Sequence, residues 1–215
     1  MQMSDERVAL VDYCLRMQAD ALTVGTSGNL SVRSGDLIAI TPSGVSYDEL
    51  TPEAICVIDL DGKVVEAELE PSSEVPMHTL VYRSTDAAAV VHSHPLYCTA
   101  LSVVMDEVPP VHYMLALLGG PVRVAPYAPF GSAQLAANSV TAMKGRSGVL
   151  LRNHGATTYG DTLAKAYSRS LYLEWVCRLY HQARLLGEPA LLTSEQLDEV
   201  GTMIDTYGQS VNRGA

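Results

Sequence analysis

The chain has 215 residues, 47% of them hydrophobic, and a formal net charge of −10 at pH 7. That length suits one sizeable domain (residues 1–215) and is too short for two ordinary domains with a linker, and the apolar fraction excludes a disordered chain. The acidic balance excludes nucleic acid or an anionic membrane as the main partner, because both require a basic footprint; a small phosphorylated ligand held by backbone N–H groups and a metal stays open.

In chain order, Val8, Val11, Leu15 and Ala19 recur at helical spacing and predict a helix over Asp5 to Ala21. A turn-rich loop, Gly25-Thr26-Ser27-Gly28-Asn29, leads into a strand at Leu30–Val32, whose hairpin partner is Leu37–Ile40 across Ser34-Gly35-Asp36. After the small-residue loop Thr41-Pro42-Ser43-Gly44, strands are expected at Ile55–Leu60 and Lys63–Glu66 around the Asp61-Gly62 turn. Pro71-Ser72-Ser73-Glu74 reads as a helix start with a serine N-cap, and Pro76 is compatible with the first turn only.

A strand over Ala87–His94 stops at Pro95, and a short helix follows over Leu96–Met105. Val122–Ala125 and Gly148–Arg152 are expected strands on either side of a helix over Ser132–Met143. Asp161 is the expected cap of a long amphipathic helix ending near Gly187, and a last helix covers Thr193 to about Tyr207. Alternating helix and strand signals give an α/β layered fold.

The four cysteines, at 14, 56, 98 and 177, form no Cys-x-x-Cys pair and are expected as buried free thiols. Asp5, Glu6 and Arg7 interrupt the first ten residues, so no secretory leader is expected. No apolar stretch approaches the roughly 20 residues of a membrane span, and the expected compartment is a reducing cytoplasm.

The strongest chemical signal is Val90-Val91-His92-Ser93-His94-Pro95. Residues i and i+2 of a strand share a face, so His92 and His94 project together at its carboxyl end, where sites gather on α/β sheets. His154 follows a second apolar strand directly. Three imidazoles and an open position make a catalytic zinc pattern, although on spacing alone a His-x-His pair is more often no metal pair at all and the third histidine only evens the two readings. Gly28-Asn29, Ser43-Gly44 and Ser72-Ser73 are three small-residue loops that could converge on a phosphate, and each taken singly is an ordinary turn. Glu74 is either dipole decoration in a first helical turn or, facing the metal, a ligand or general base. Tyr113 alone reads as a surface or interface tyrosine, and His78, His112 and His181 read as structural.

Taken together, Gly25–Arg33, Ile40–Gly44, Pro71–Glu74, Ala89–His94, Val111–Met114, Ala125–Ala128, Asn153-His154-Gly155 and Thr206-Tyr207-Gly208 resemble, in order and spacing, the class II aldolase/adducin family. The resemblance implies a three-layer α/β/α fold around a mainly antiparallel sheet, in a homotetramer of fourfold symmetry with sites between subunits. It implies one zinc per subunit on His92, His94 and His154, with Glu74 as a resting ligand that becomes the acid/base. Gly28, Asn29, Ser43, Gly44, Ser72 and Ser73 would hold the substrate phosphate. Tyr113 would protonate the aldehyde oxygen in a neighbouring subunit's site, and Tyr207 would close over the site.

The implied reaction is reversible cleavage of a ketose 1-phosphate, fuculose phosphate or a related deoxyketose phosphate, to dihydroxyacetone phosphate and a short aldehyde such as lactaldehyde. The same scaffold also carries pentulose phosphate 4-epimerases, methylthioribulose phosphate dehydratases and non-enzymatic adducin-like modules. Glu74, where the epimerases usually carry an aspartate, and Tyr113 favour the aldolase, and the three retained histidines with Glu74 speak against the adducin-like module.

Overall fold

The computed structural model describes residues 1–206, so Tyr207 lies outside the described residues. Helix α1 (Ser4–Ala19) is followed by strands β1 (Asn29–Ser34), β2 (Leu37–Ile40), β3 (Cys56–Asp59) and β4 (Val64–Glu66). Then come α2 (Val75–Ser84), β5 (Ala89–Ser93), α3 (Leu96–Val104) and the two-residue β6 (Glu107–Val108). A 3-10 helix over Tyr113–Leu118 precedes β7 (Val122–Ala125), α4 (Ala133–Ala142), β8 (Gly148–Leu151) and β9 (Gly155–Gly160). Helices α5 (Leu163–Leu186) and α6 (Ser194–Thr206) complete the described chain.

The strands form a nine-stranded sheet in the order β4-β3-β2-β1-β5-β9-β8-β7-β6. Among the described residues every pairing is antiparallel except β7 with β8. Both faces are covered, and the two-residue strand period sorts the core between them. Ile38, Val90, Val149 and Leu151 pack with Met77 and Val81 of α2 and with Leu135 and Ala136 of α4. Ala39, Ala89 and Val91 pack against α1 and the start of α5, and Leu150 against α3 and α5. The result is a three-layer α/β/α molecule with its core on both sides of the sheet.

Three local expectations are corrected. The N-cap of α2 is Glu74, not a serine; Ser72 sits two residues earlier, and its Oγ accepts from the Glu74 N–H at 3.2 Å. The cap of α5 is Thr162, whose side chain accepts from Lys165 N, while the Asp161 carboxylate pairs with the Lys165 ammonium at 2.9 Å. Strand β9, absent from the sequence expectation, is central and pairs β5 with β8. All four cysteines are buried and free.

Candidate metal centre and substrate cavity

Strand β5 is buried along its whole length between β1 and β9. Its residue period carries His92 to the face occupied by α2, and His94 follows just past the strand end. The β8–β9 connection brings in the third ring. Asn153 adopts a left-handed backbone (φ +55°) and His154 N–H bonds back to Leu151 O at 3.0 Å, closing a tight turn. Gly155 is required there, since a Cβ would fall on the Ser93 carbonyl oxygen. Gly28 (φ +81°) is required for the same reason on the other side, where a Cβ would sit 2.8 Å from His92 O.

The three rings lie edge to face, with all three centroid separations at 4.8 Å. One ligand atom from each falls within 4.8 Å of the others. Nδ1–H of His92 donates to the Ala156 carbonyl at 3.0 Å, which directs Nε2 toward the centre of the group. Burial, reinforced by the neighbouring rings, pushes the basicity of His94 down to about 3 and that of His154 down to about 4. Both are therefore neutral near pH 7, the form that binds a metal.

Glu74 closes the group. Its Oε2 lies 2.9 Å from His92 Nε2, and its Oε1 lies 3.7 Å from His154 Nε2. Burial alone would raise this carboxyl. The neighbouring His92, by charge and hydrogen bond, and the Asn29 amide outweigh it, holding the group well below the usual carboxylate range. Glu74 Oε1 is buried with no hydrogen-bond partner. A buried carboxylate oxygen left unpartnered beside three convergent imidazoles is what a metal ion would satisfy, so the residues fit such an ion.

Glu74, His94 and His154 face a cavity of ≈ 310 Å³. Gly28, Asn29, Ser43, Gly44, Ser72 and Ser73 all line it, so the three small-residue loops do converge. No lysine or arginine is among the lining residues. Tyr127 and Phe130, 64% and 72% exposed, also line the cavity; their chemistry was hidden in an apolar loop between β7 and α4. Tyr113 is elsewhere, 46% exposed at the start of the 3-10 helix and stacked on His112. His112 caps that helix, accepting from Met114 N, and His181 packs on Tyr97. His78 is different: it is fully buried beside Asn29. The signal that could have found it is its place one helical turn after Glu74.

Comparison with known proteins agrees with this geometry. Residues 8–181 match the class II aldolase and adducin N-terminal domain. The chain is 38% identical over 212 residues to the 5-deoxy-D-ribulose 1-phosphate aldolase of Bacillus thuringiensis serovar kurstaki, covering 97% of this chain and 100% of that protein. It is 39% identical over 202 residues to the L-fuculose phosphate aldolase of Escherichia coli strain K12, covering 93% and 94% respectively. A solved structure of an L-fuculose 1-phosphate aldolase superposes with a TM-score of 0.93 at 38% identity, covering 95% of this chain and 98% of that one.

Proposed function

The chain belongs to the class II aldolase and adducin family and is an aldolase of the metal-dependent class, and from that premise we propose that it cleaves a ketose 1-phosphate reversibly to dihydroxyacetone phosphate and a short aldehyde, using one zinc ion per subunit. The observation that carries this reading is the meeting of Glu74 and two of the three clustered imidazoles in a cavity rimmed by uncharged hydroxyl and glycine loops. The relatives' names support fuculose phosphate or 5-deoxyribulose 1-phosphate as substrate, with lactaldehyde or a similar short aldehyde as the second product.

In this reading His92, His94 and His154 hold the zinc, with Glu74 as the fourth ligand at rest. When bound, the metal supplies Lewis-acid stabilisation of the negative charge left on the ketose fragment as the carbon–carbon bond breaks. In the condensation direction Glu74 takes the proton from the carbon beside the carbonyl. The freed electron pair forms the bond to the aldehyde carbon, and Tyr113 of a neighbouring subunit gives its hydroxyl proton to the aldehyde oxygen. Gly28, Asn29, Ser43, Gly44, Ser72 and Ser73 hold the phosphate through neutral donors. Their binding energy is remote from the reacting carbons and orients them.

A fourfold tetramer places Tyr113 where a neighbour can use it. The support is an apolar surface hollow lined by Leu96, Met114, Tyr172 and Trp175, beside the loop that carries Tyr113. Leu96 is 71% exposed in the single chain, an apolar surface of the kind a second subunit covers. Among the described residues no helix is long and apolar enough to cross a membrane, and with the buried free thiols this supports the cytoplasm as compartment.

A coupled assay for dihydroxyacetone phosphate tests the reading. Zinc-loaded protein is offered fuculose, ribulose and 5-deoxyribulose 1-phosphates beside a chelated control. Chelator-sensitive release supports the aldolase and ranks the substrates; no release from any of them with zinc bound rejects it.

A further inference from the structure

Helix α2 and strand β1 meet along a polar seam inside an otherwise apolar layer. Glu74, His78 and Tyr82 stand at intervals of four on the helix side, and Asn29 and Ser31 at an interval of two on the strand side. Both spacings keep their residues on one face, so the two rows oppose each other. All five side chains are buried, His78 and Ser31 completely.

The contacts run in one line. Asn29 Nδ2 lies 3.0 Å from Glu74 Oε2, and Asn29 Oδ1 lies 2.6 Å from His78 Nε2. His78 Nδ1 lies 2.6 Å from Ser31 Oγ, which lies 2.7 Å from the Tyr82 hydroxyl. The donors follow from elementary chemistry. An ionised carboxylate only accepts, so the Asn29 NH2 must face Glu74 and its carbonyl must face His78. His78 therefore donates from Nε2, leaving Nδ1 to accept from Ser31, whose oxygen accepts from Tyr82. The opposite histidine tautomer would present a bare lone pair to Asn29 and turn the amide carbonyl toward the Glu74 carboxylate.

We propose that His78 is a positioning residue for Glu74: together with Ser31 and Tyr82 it locks the Asn29 amide in the orientation that anchors Oε2 and leaves Oε1 as the working oxygen. Oε1 alone among the polar side-chain atoms of the seam has no hydrogen-bond partner. Glu74 is thereby held by one oxygen while the other faces His154. The inference rests on the proposed role of Glu74 as acid/base and resting ligand. It adds that the aim of this carboxylate is set from behind, through Asn29, by His78, Ser31 and Tyr82, none of which lines the cavity.

The test uses the full chain loaded with Co2+ alone, read by its visible ligand-field spectrum, together with kcat and KM for the ketose phosphate cleaved fastest. His78→Phe keeps the ring volume and removes the donor. His78→Gln keeps a donor near the place of Nε2, and His78→Asn keeps one near Nδ1. The expected result is a kcat lowered about 10- to 100-fold in His78→Phe with KM changed less than about 3-fold, the size typical of losing a partner behind a metal ligand. Its Co2+ spectrum should shift in the same sense as that of Glu74→Gln, and His78→Gln should recover toward wild type in both readouts while His78→Asn does not. A wild-type spectrum and kcat in His78→Phe overturn the proposal. Should that variant fail to fold, equal losses in His78→Gln and His78→Asn overturn it equally. If the wild-type chain cleaves no ketose phosphate, the aldolase reading falls, and the spectra alone then decide whether His78 aims Glu74.

Discussion

The Nε2 atoms of His92 and His94 lie 2.9 Å apart, and Oε2 of Glu74 lies 2.9 Å from the same His92 nitrogen. A proton on His92 Nε2 can satisfy only one of these neighbours at a time. A cation held by His92, His94 and His154 would remove that competition and give the unpartnered Glu74 Oε1 a positive neighbour.

Metal removal should therefore act on activity and on folding together. Dialysis against a strong chelator is expected to abolish cleavage and lower Tm, and added zinc should restore both, because an ion that binds only the folded state stabilises it by mass action. Elemental analysis and thermal melts check this. A chelated protein with unchanged Tm would mean that the cluster holds no structural share of the ion.

Glu74→Gln keeps the shape of the side chain, exchanges one acceptor oxygen for an amide donor and removes its basicity. With three imidazoles still in place, zinc should be largely retained while kcat falls by about 10²- to 10⁴-fold, the usual contribution of a positioned acid/base. Steady-state kinetics beside metal content separates the two effects. Substantial remaining turnover would remove Glu74 from the proton-transfer role.

Tyr113→Phe should slow turnover far more than it weakens phosphate binding. The sharper measurement is a mixture. Glu74→Gln and Tyr113→Phe chains, each feeble alone, should regain activity when unfolded and refolded together, since some sites then pair an intact Glu74 with a neighbour's intact Tyr113. No recovery in a mixed oligomer would place both residues in the same chain's site.

Gly28→Ala tests the strand packing beneath the site. The added methyl carbon meets His92 O at 2.8 Å and Met17 Cε at 3.1 Å, in a backbone with φ +81°. A loss of about 1–3 kcal/mol is expected from overpacking and left-handed strain. Urea midpoints measure it, and activity should fall as well, because the carbonyl that must yield belongs to a histidine of the cluster.

The parts of this site legible in the sequence were those with short-range signals. His92 and His94 share a strand face by period, and Ser72-Ser73-Glu74 precedes a helix, so their convergence needed only the assumption of one sheet. Strand β9 escaped because Gly155-Ala156-Thr157-Thr158-Tyr159-Gly160 has no apolar alternation. It is buried on both faces and filled with small and hydroxyl residues where neighbouring side chains leave little room. The 3-10 helix at Tyr113–Leu118 carries no cap signal beyond His112, a residue seldom read as one. His78 was taken as structural because its meaning lies in Asn29, 49 residues away in sequence. Chain-distant hydrogen bonds leave no periodicity.

The seam between α2 and β1 also bears on how the chain finds its alignment. Apolar faces such as Met77 and Val81 would tolerate α2 at several offsets along the sheet, since oily contacts carry little direction. A shift of one turn, however, would strand the Glu74 carboxylate against groups that cannot hydrogen-bond to it, and an unpaired buried charge is strongly unfavourable. The five polar residues thus act as a key that admits α2 to one setting on the strand, and that setting is the one in which the carboxylate faces the three imidazoles.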